Sequence, residues 1–193
     1  MRPESDISRA EVAVIFWRLT RAMDKNSAVP NRFSDVEGNE WFAQAVNYLA
    51  DTGILTGYED GTFHPERSIS RSEFTAIISR FDALDSTTLN PFSDIHDEHW
   101  AHSYVTSAYL KGWIAGYPDR TFRPEISITR AETIKIVNYM LGRGIQAENV
   151  PEQLRNLYPD LPYGHWAFAE IIEASVERNY ERLDNGYEIY ISH

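Results

Sequence analysis

Three copies of one four-residue pattern, in register along the chain, restrict what it can fold into more than any other feature. They are Ser8-Arg9-Ala10-Glu11, Ser70-Arg71-Ser72-Glu73 and Thr129-Arg130-Ala131-Glu132. A hydroxyl residue followed three positions later by Glu is a capping box, in which each side chain satisfies a backbone N–H at a helix start. Each copy therefore predicts a helix N-terminus. The Arg between the capping residues has no such role, because a cation in the first turn faces the positive end of the helix dipole at a cost of about 0.3–1 kcal/mol. Its recurrence asks for a reason. Helix starts attract anions, and a guanidinium offers a planar fork to a carboxylate or phosphate. Arg9, Arg71 and Arg130 are therefore candidate ligand residues; a solvated charge or an ion pair to Asp60 or Asp119 is the structural alternative.

The rest of the chain repeats with the same pattern. Arg2-Pro3, His64-Pro65 and Arg123-Pro124 precede the three boxes. Phe33-Ser34-Asp35, Phe92-Ser93-Asp94 and Tyr158-Pro159-Asp160 lead to Trp41, Trp100 and Trp166, and these Trp residues are spaced 59 and then 66 positions apart. Gly57-Tyr58-Glu59-Asp60-Gly61-Thr62-Phe63 is matched by Gly116-Tyr117-Pro118-Asp119-Arg120-Thr121-Phe122.

Helical spacing of apolar residues (Trp41, Ala45, Val46, Leu49; Trp100, Tyr104, Val105, Ala108) predicts helices over 41–51, 100–111 and 166–177. Gly53 and Gly112 stop the first two. The capping boxes open longer helices over 8–23, 70–84 and 129–141, with buried stripes such as Val12, Ile15, Phe16 and Leu19, or Phe74, Ile77, Ile78 and Phe81, or Ile134, Val137 and Leu141. Residues 24–30 and 85–91 read as polar linkers, and the longer link 142–157 holds an extra helical turn near 150–154. In the tail 181–192, Asn185-Gly186 flanked by aromatics signals a short β-ribbon. The fold class is otherwise all-α. The first capping-box helix has no Trp helix before it, and the third Trp helix has no capping box after it. An incomplete helical repeat leaves an apolar face open. The N-terminal helix is thus expected to join the other two capping-box helices in a central three-helix bundle, closing a pseudo-threefold domain.

Composition removes several functions. With 29 acidic against 18 basic residues, a net charge of -11, the chain lacks the basic surface that nucleic acid requires. The absence of cysteine excludes disulfides, thiolate metal sites and a Cys nucleophile. No apolar run reaches the roughly 18–20 residues of a membrane span, and no basic-then-apolar leader opens the sequence. The loops around Asp60 and Asp119 have too few oxygen ligands for calcium. His96, His99 and His102 lack a further ligand at matching spacing in the other repeats, so they are expected to be exposed and not to bind zinc. Neither metal nor cofactor is expected. No nucleophile elbow, phosphate loop or metalloprotease helix is present, and so many acids make a glycosidase-like carboxylate pair uninformative. The chain is read as no enzyme. For each Trp at the head of an amphipathic helix, core packing is the first expectation, as it is for Phe63 and Phe122.

Taken in order, Phe-Ser-Asp, the Trp helix, Gly-Tyr-x-Asp-Gly-Thr-Phe-x-Pro and Ile-Thr-Arg-Ala-Glu resemble the S-layer homology (SLH) domain over nearly the whole chain. The resemblance implies a three-pronged spindle of SLH repeats whose grooves bind secondary cell-wall polysaccharide, often through a pyruvate ketal, or in some bacteria peptidoglycan. It implies a non-catalytic anchor of a larger extracellular protein at the cell wall or S-layer, without membrane insertion. It carries ligand binding onto Arg9, Arg71, Arg130, Trp41, Trp100, Trp166, Tyr58, Asp60, Tyr117 and Asp119. Residues 1–193 then form one SLH-type domain: 1–24 the second half of a repeat, 25–84 and 85–143 whole repeats, and 144–193 the first half of a repeat with a divergent tail. The chain departs from the pattern in having no loop before Arg2-Pro3, no Gly-Tyr loop after the third Trp helix, and Arg120 in place of the loop Gly. A helical-repeat module that binds a protein partner is the alternative function.

Overall fold

The computed structural model describes residues 1–20, 29–85, 89–176, 180–183 and 187–190. Among the described residues the chain is all-α apart from one short ribbon. The capping boxes open α1 (Arg9–Leu19), α3 (Arg71–Arg80) and α5 (Arg130–Met140), and both reciprocal bonds form in each. These helices end earlier than expected; of the end predicted for α1, residues 21–23 lie outside the described set, as do most of the linker at 24–30 and residues 86–88 of the linker at 85–91. The other helices, α2 (Ala43–Asp51), α4 (His102–Leu110) and α6 (Phe168–Ser175), begin two residues after the Trp expected to start each of them. Gly53 and Gly112 follow α2 and α4 in the left-handed region, at φ 74° and 71°. Short 3-10 turns at Ala147–Asn149 and Glu152–Leu154 occupy the longer link. The tail pairs β1 (Tyr180–Arg182) antiparallel with β2 (Glu188–Tyr190), and its Asn185-Gly186 turn lies outside the described residues. No helix among the described residues is long and apolar enough to cross a membrane.

The chain divides into two compact units. One comprises Ile7–Ser107 with Gly116–Ser127; the other comprises Met1–Asp6, Ala108–Ala115 and Ile128–His193. In the first, α1 packs with α2, and Phe16 of α1 meets Phe74 and Phe81 at ring-centroid distances of 5.9 and 4.8 Å. In the second, α5 packs with α6 through a core that includes Ala131, Val150, Leu161, Phe168 and Ile172. Burying such side chains stabilises by about 1.5–3 kcal/mol each. Of the stripes read from the sequence for these helices, Val12, Phe16, Phe74, Ile77, Ile78 and Val137 are buried, whereas Ile15, Leu19, Phe81, Ile134 and Leu141 are half-buried.

The Phe-Ser-Asp turn does more than lead into a helix. The Asp35 carboxylate accepts the N–H groups of Phe63 and His64, both at 2.7 Å, and Asp94 does the same for Phe122 and Arg123. Ser34 N–H donates to Gly61 O and Ser93 N–H to Arg120 O. The Phe33 ring lies against Phe63, and so close over Gly57 that a Cβ there would stand 2.2 Å from the ring. Phe92 covers Gly116 in the same way, at 2.4 Å. Each turn thus clamps the Gly-Tyr loop of its own repeat. The third copy is assembled from the two ends of the chain: in the second unit Asp160 accepts from the backbone nitrogens of Met1 and Arg2. Arg2, His64 and Arg123 share one left-handed conformation, φ 54–58°. Met1 and Arg2 therefore give the Asp160 turn the kind of backbone contact that the Gly-Tyr loops give Asp35 and Asp94.

Arg120 stands at φ 63° where the sister loop has Gly61 at φ 80°. A side chain in that region costs about 1–2 kcal/mol, partly offset by the freer unfolded chain that Gly brings. Arg120→Gly is expected to stabilise the protein by about 0.5–1 kcal/mol, seen as a rise of about 2 °C in Tm by calorimetry.

Candidate functional site

An open helix start presents four unpartnered N–H groups, and the anion argument for the three Arg residues depends on them. Here the protein fills them itself. Arg9 N–H donates to Arg67 O (3.0 Å) and Ala10 N–H to Pro65 O (2.9 Å), while Glu11 N–H donates to the Ser8 hydroxyl and Ser8 N–H to the Glu11 carboxylate. The same exchange joins Arg71 and Ser72 to Ile126 and Pro124, and in the second unit Arg130 and Ala131 to Ser5 and Pro3. Each capping-box helix is held by the stretch that precedes another capping box. The backbone at these starts is occupied.

The Arg side chains extend the same stitch. Arg9 is 5% exposed; its Nε donates to Phe63 O at 2.8 Å, one Nη to Thr56 O at 2.9 Å, and the other lies 3.3 Å from Glu73. Its guanidinium also lies over the rings of Tyr58 and Phe63, at 4.9 and 4.6 Å. Arg71 repeats the arrangement against Phe122 O and the rings of Tyr117 and Phe122. The expected alternative partners Asp60 and Asp119 do not pair with these Arg residues. Their carboxylates turn inward on their own loops, accepting from the N–H and hydroxyl of Thr62 and Thr121, and Asp119 also meets Arg123.

Glu73 joins cap and groove. One oxygen accepts the Ser70 N–H at 2.9 Å; the other accepts the Tyr58 hydroxyl at 2.8 Å and pairs with Arg67 at 2.7 Å. Burial works against the Glu73 charge, but the Ser70 N–H, the Tyr58 hydroxyl and the two Arg residues outweigh it and hold the carboxyl below its ordinary value. Burial, and then the bond to Glu73, push the Tyr58 hydroxyl up. Burial lowers Arg9 from its ordinary value.

These groups line a cavity of about 360 Å³ within the first unit, together with Arg80, Trp100 and Glu125. Of the residues singled out by sequence, it gathers Arg9, Tyr58 and Trp100; Asp60 and Trp41 are not in its lining. Arg71 and Tyr117 meet each other elsewhere in that unit. Arg130 and Trp166 belong to the other unit, where the Trp166 indole N–H bonds Glu4 and Lys135 lies over its ring at 5.3 Å. Core packing does not hold for the three Trp residues: Trp41, Trp100 and Trp166 are 62%, 54% and 49% exposed, because each stands ahead of its helix. Phe63 and Phe122 are buried as expected. His99 and His102 are half-buried where exposure was expected: His99 Nδ1 accepts the Ala101 N–H near the start of α4, and His102 faces Asp97. Among the described residues no group of three or more His, Cys, Asp or Glu is placed to hold a metal ion.

Sequence reasoning missed Arg67, Arg80 and the second oxygen of Glu73. The available signal was divergence between copies, since Ser5 and Ile126 stand where the second copy has Arg67.

A repeated clamp, a repeated helix stitch and a cavity lined by Arg9, Arg67, Arg80 and Trp100 define a helical module built from repeats. The chain belongs to the S-layer homology domain family, whose sequence profile matches residues 32–75 and 91–134. It is similar to the cellulosome-anchoring protein of Acetivibrio thermocellus, 38% identical over 201 residues, covering 98% of this chain and 43% of that protein. Cell surface glycoprotein 1 of the same organism is 34% identical over 195 residues, 93% of this chain and 8% of the glycoprotein. An S-layer protein of Bacillus licheniformis is 30% identical over 142 residues, 72% of this chain and 16% of that protein. The chain thus spans less than half the length of each of these relatives.

Two outcomes follow from the site. Arg9→Met strands the loop carbonyls of Phe63 and Thr56 and removes one of the two cations beside Glu73, which keeps Arg67, so it is expected to destabilise by about 3 kcal/mol, read as a lower urea midpoint at unchanged m. Asp119 is held down to about 2 by the Thr121 hydroxyl, the Thr121 N–H and Arg123. A carboxyl depressed in the folded state stabilises above its ordinary pKa of 3.8, and that stabilisation is lost as pH falls toward 2. Asp119→Asn should therefore flatten the fall of Tm between about pH 4 and pH 2.

Proposed function

We propose that this chain is a non-catalytic anchor that holds a larger polypeptide at the cell wall by binding secondary cell-wall polysaccharide in its grooves. The ligand is anionic, a pyruvylated glycan in the form the family resemblance implies. The observation that carries this reading is the cavity of the first unit: three Arg against two Glu, with an exposed Trp100, in a chain of net charge -11. A locally cationic cleft in an acidic protein suits a local anion on a neutral polymer, and a half-exposed indole suits a sugar face. The site is extracellular, at the cell wall or S-layer, in keeping with relatives named as S-layer and cellulosome-anchoring proteins. The division of the chain at 24/25, 84/85 and 143/144 belongs to the same proposal, and the matched segments 32–75 and 91–134 fall inside the two whole repeats.

Pull-down on purified wall sacculi tests the reading. The protein should sediment with native sacculi and remain in the supernatant once the polysaccharide has been chemically stripped. Retention on stripped sacculi would point instead to peptidoglycan or to a wall protein. Trp100→Ala should weaken the pull-down while leaving Tm unchanged, since the indole contributes little to the core.

A further inference from the structure

We propose that in the cavity of the first unit the ligand's anionic group is received by Arg67 and Arg80, while Arg9, the capping-box Arg, acts as a positioning residue. The assignment rests on the wall-polysaccharide reading and says which side chains of that groove read the charge. Arg9 is poorly placed to do so. Its side chain is 6% exposed, two of its nitrogens bind the loop carbonyls of Phe63 and Thr56, and a third faces Glu73. What it does is fix the loop that carries Tyr58.

Arg67 and Arg80 differ in each of these respects. The Arg67 side chain is 48% exposed and lies over the Tyr58 ring at 5.2 Å, with Glu73 orienting it from one end. Arg80 is half-buried on α3 over the Tyr104 ring at 5.0 Å, and its contacts to Ile54 O and the Tyr104 hydroxyl are long, 3.3 and 3.4 Å. Those are weak partners for a guanidinium, which a carboxylate can replace with shorter, charge-assisted bonds. Both side chains line the cavity that Trp100 also lines.

Comparison of the copies points the same way. At the spacing of Arg67 and Arg80 from Arg71, the third copy has Ile126 and Tyr139 and the first has Ser5 and Arg18. The scaffold Arg recurs in all three copies, whereas the pair of cations occurs in one. Folding alone does not ask for it, because the copy with Ile126 and Tyr139 forms the same capping box and the same stitch.

Isothermal titration of the folded chain with soluble polysaccharide released from the wall tests the assignment, using Arg67→Gln, Arg80→Gln, the double variant and the charge-conserving Arg67→Lys. Each Gln variant should bind about tenfold more weakly, the double variant more weakly still, and Arg67→Lys should lose less. The deficits should vanish on the same polymer after mild acid has removed its ketal carboxylate. A double variant that binds as the wild type does overturns the assignment and leaves the wall-binding reading standing. Equal deficits on native and acid-treated polymer also overturn it, because the contacts would then be to sugar and not to charge. A wild-type chain that binds neither polymer overturns the wall-binding reading, and the assignment with it.

Discussion

The hydrogen-bond exchange at the starts of α1, α3 and α5 is the constraint on which the remaining structure depends. A helix start leaves four N–H groups to be satisfied, and one capping box accounts for only part of them. The others go to carbonyls just upstream of a different capping box, such as Pro65 and Arg67 for α1. Every copy therefore needs another to finish its own helix. This explains why the stretch between each Pro and the next capping box repeats with its helix: its carbonyls must arrive in register. It also explains the residue between the capping pair. A long side chain with several donors, buried at that point, can reach the adjacent loop and bond the carbonyls of Phe63 and Thr56, or of Phe122. The few tenths of a kcal/mol lost against the helix dipole are small beside carbonyls that would otherwise be buried without a donor.

From this stitch the groove follows. Arg9 holds the Gly-Tyr loop from one side and Asp35 holds its end from the other, so Tyr58 has little freedom. Its hydroxyl then meets Glu73, whose first oxygen is already fixed by the cap. A residue placed by helix-capping chemistry thereby sets the floor of a cavity that opens to solvent. The loop, the cap and the cavity are parts of one network, and a change in any of them is felt in the others.

Local rules carried much of the way in reading this chain from its residues. The three capping boxes, the two stopping glycines, the apolar stripes of Phe16, Phe74 and Ile78, and the tail ribbon each follow from spacing over a few positions. What local rules could not supply was the destination of long side chains. Arg9 spans 54 positions to Phe63 and Asp35 spans 28 to the same residue, and nothing in a window of sequence reports such a bond. Helix starts failed for a related reason. Trp41, Trp100 and Trp166 fit the helical period, yet each lies two residues ahead of its helix, so the periodicity that suggested burial ended at a turn. Comparing the copies position by position would have recovered part of what was missed: Arg67 stands out because its counterparts are Ser5 and Ile126.

The exposure of the three Trp residues is the remaining observation that folding does not account for. Large apolar side chains at the surface are ordinary when scattered, but these occupy equivalent positions, and each exposes about half its area or more. In two copies the preceding residue stacks on the indole: His99 on Trp100 at 5.9 Å and His165 on Trp166 at 5.6 Å. The imidazoles are themselves held, each accepting through Nδ1 an N–H near the start of the following helix, from Ala101 or Ala167. The same bond that finishes a helix start therefore orients the ring beside the exposed indole. In these two copies the bond near the helix start thus has a second consequence: it sets an imidazole ring beside an indole that is exposed to solvent.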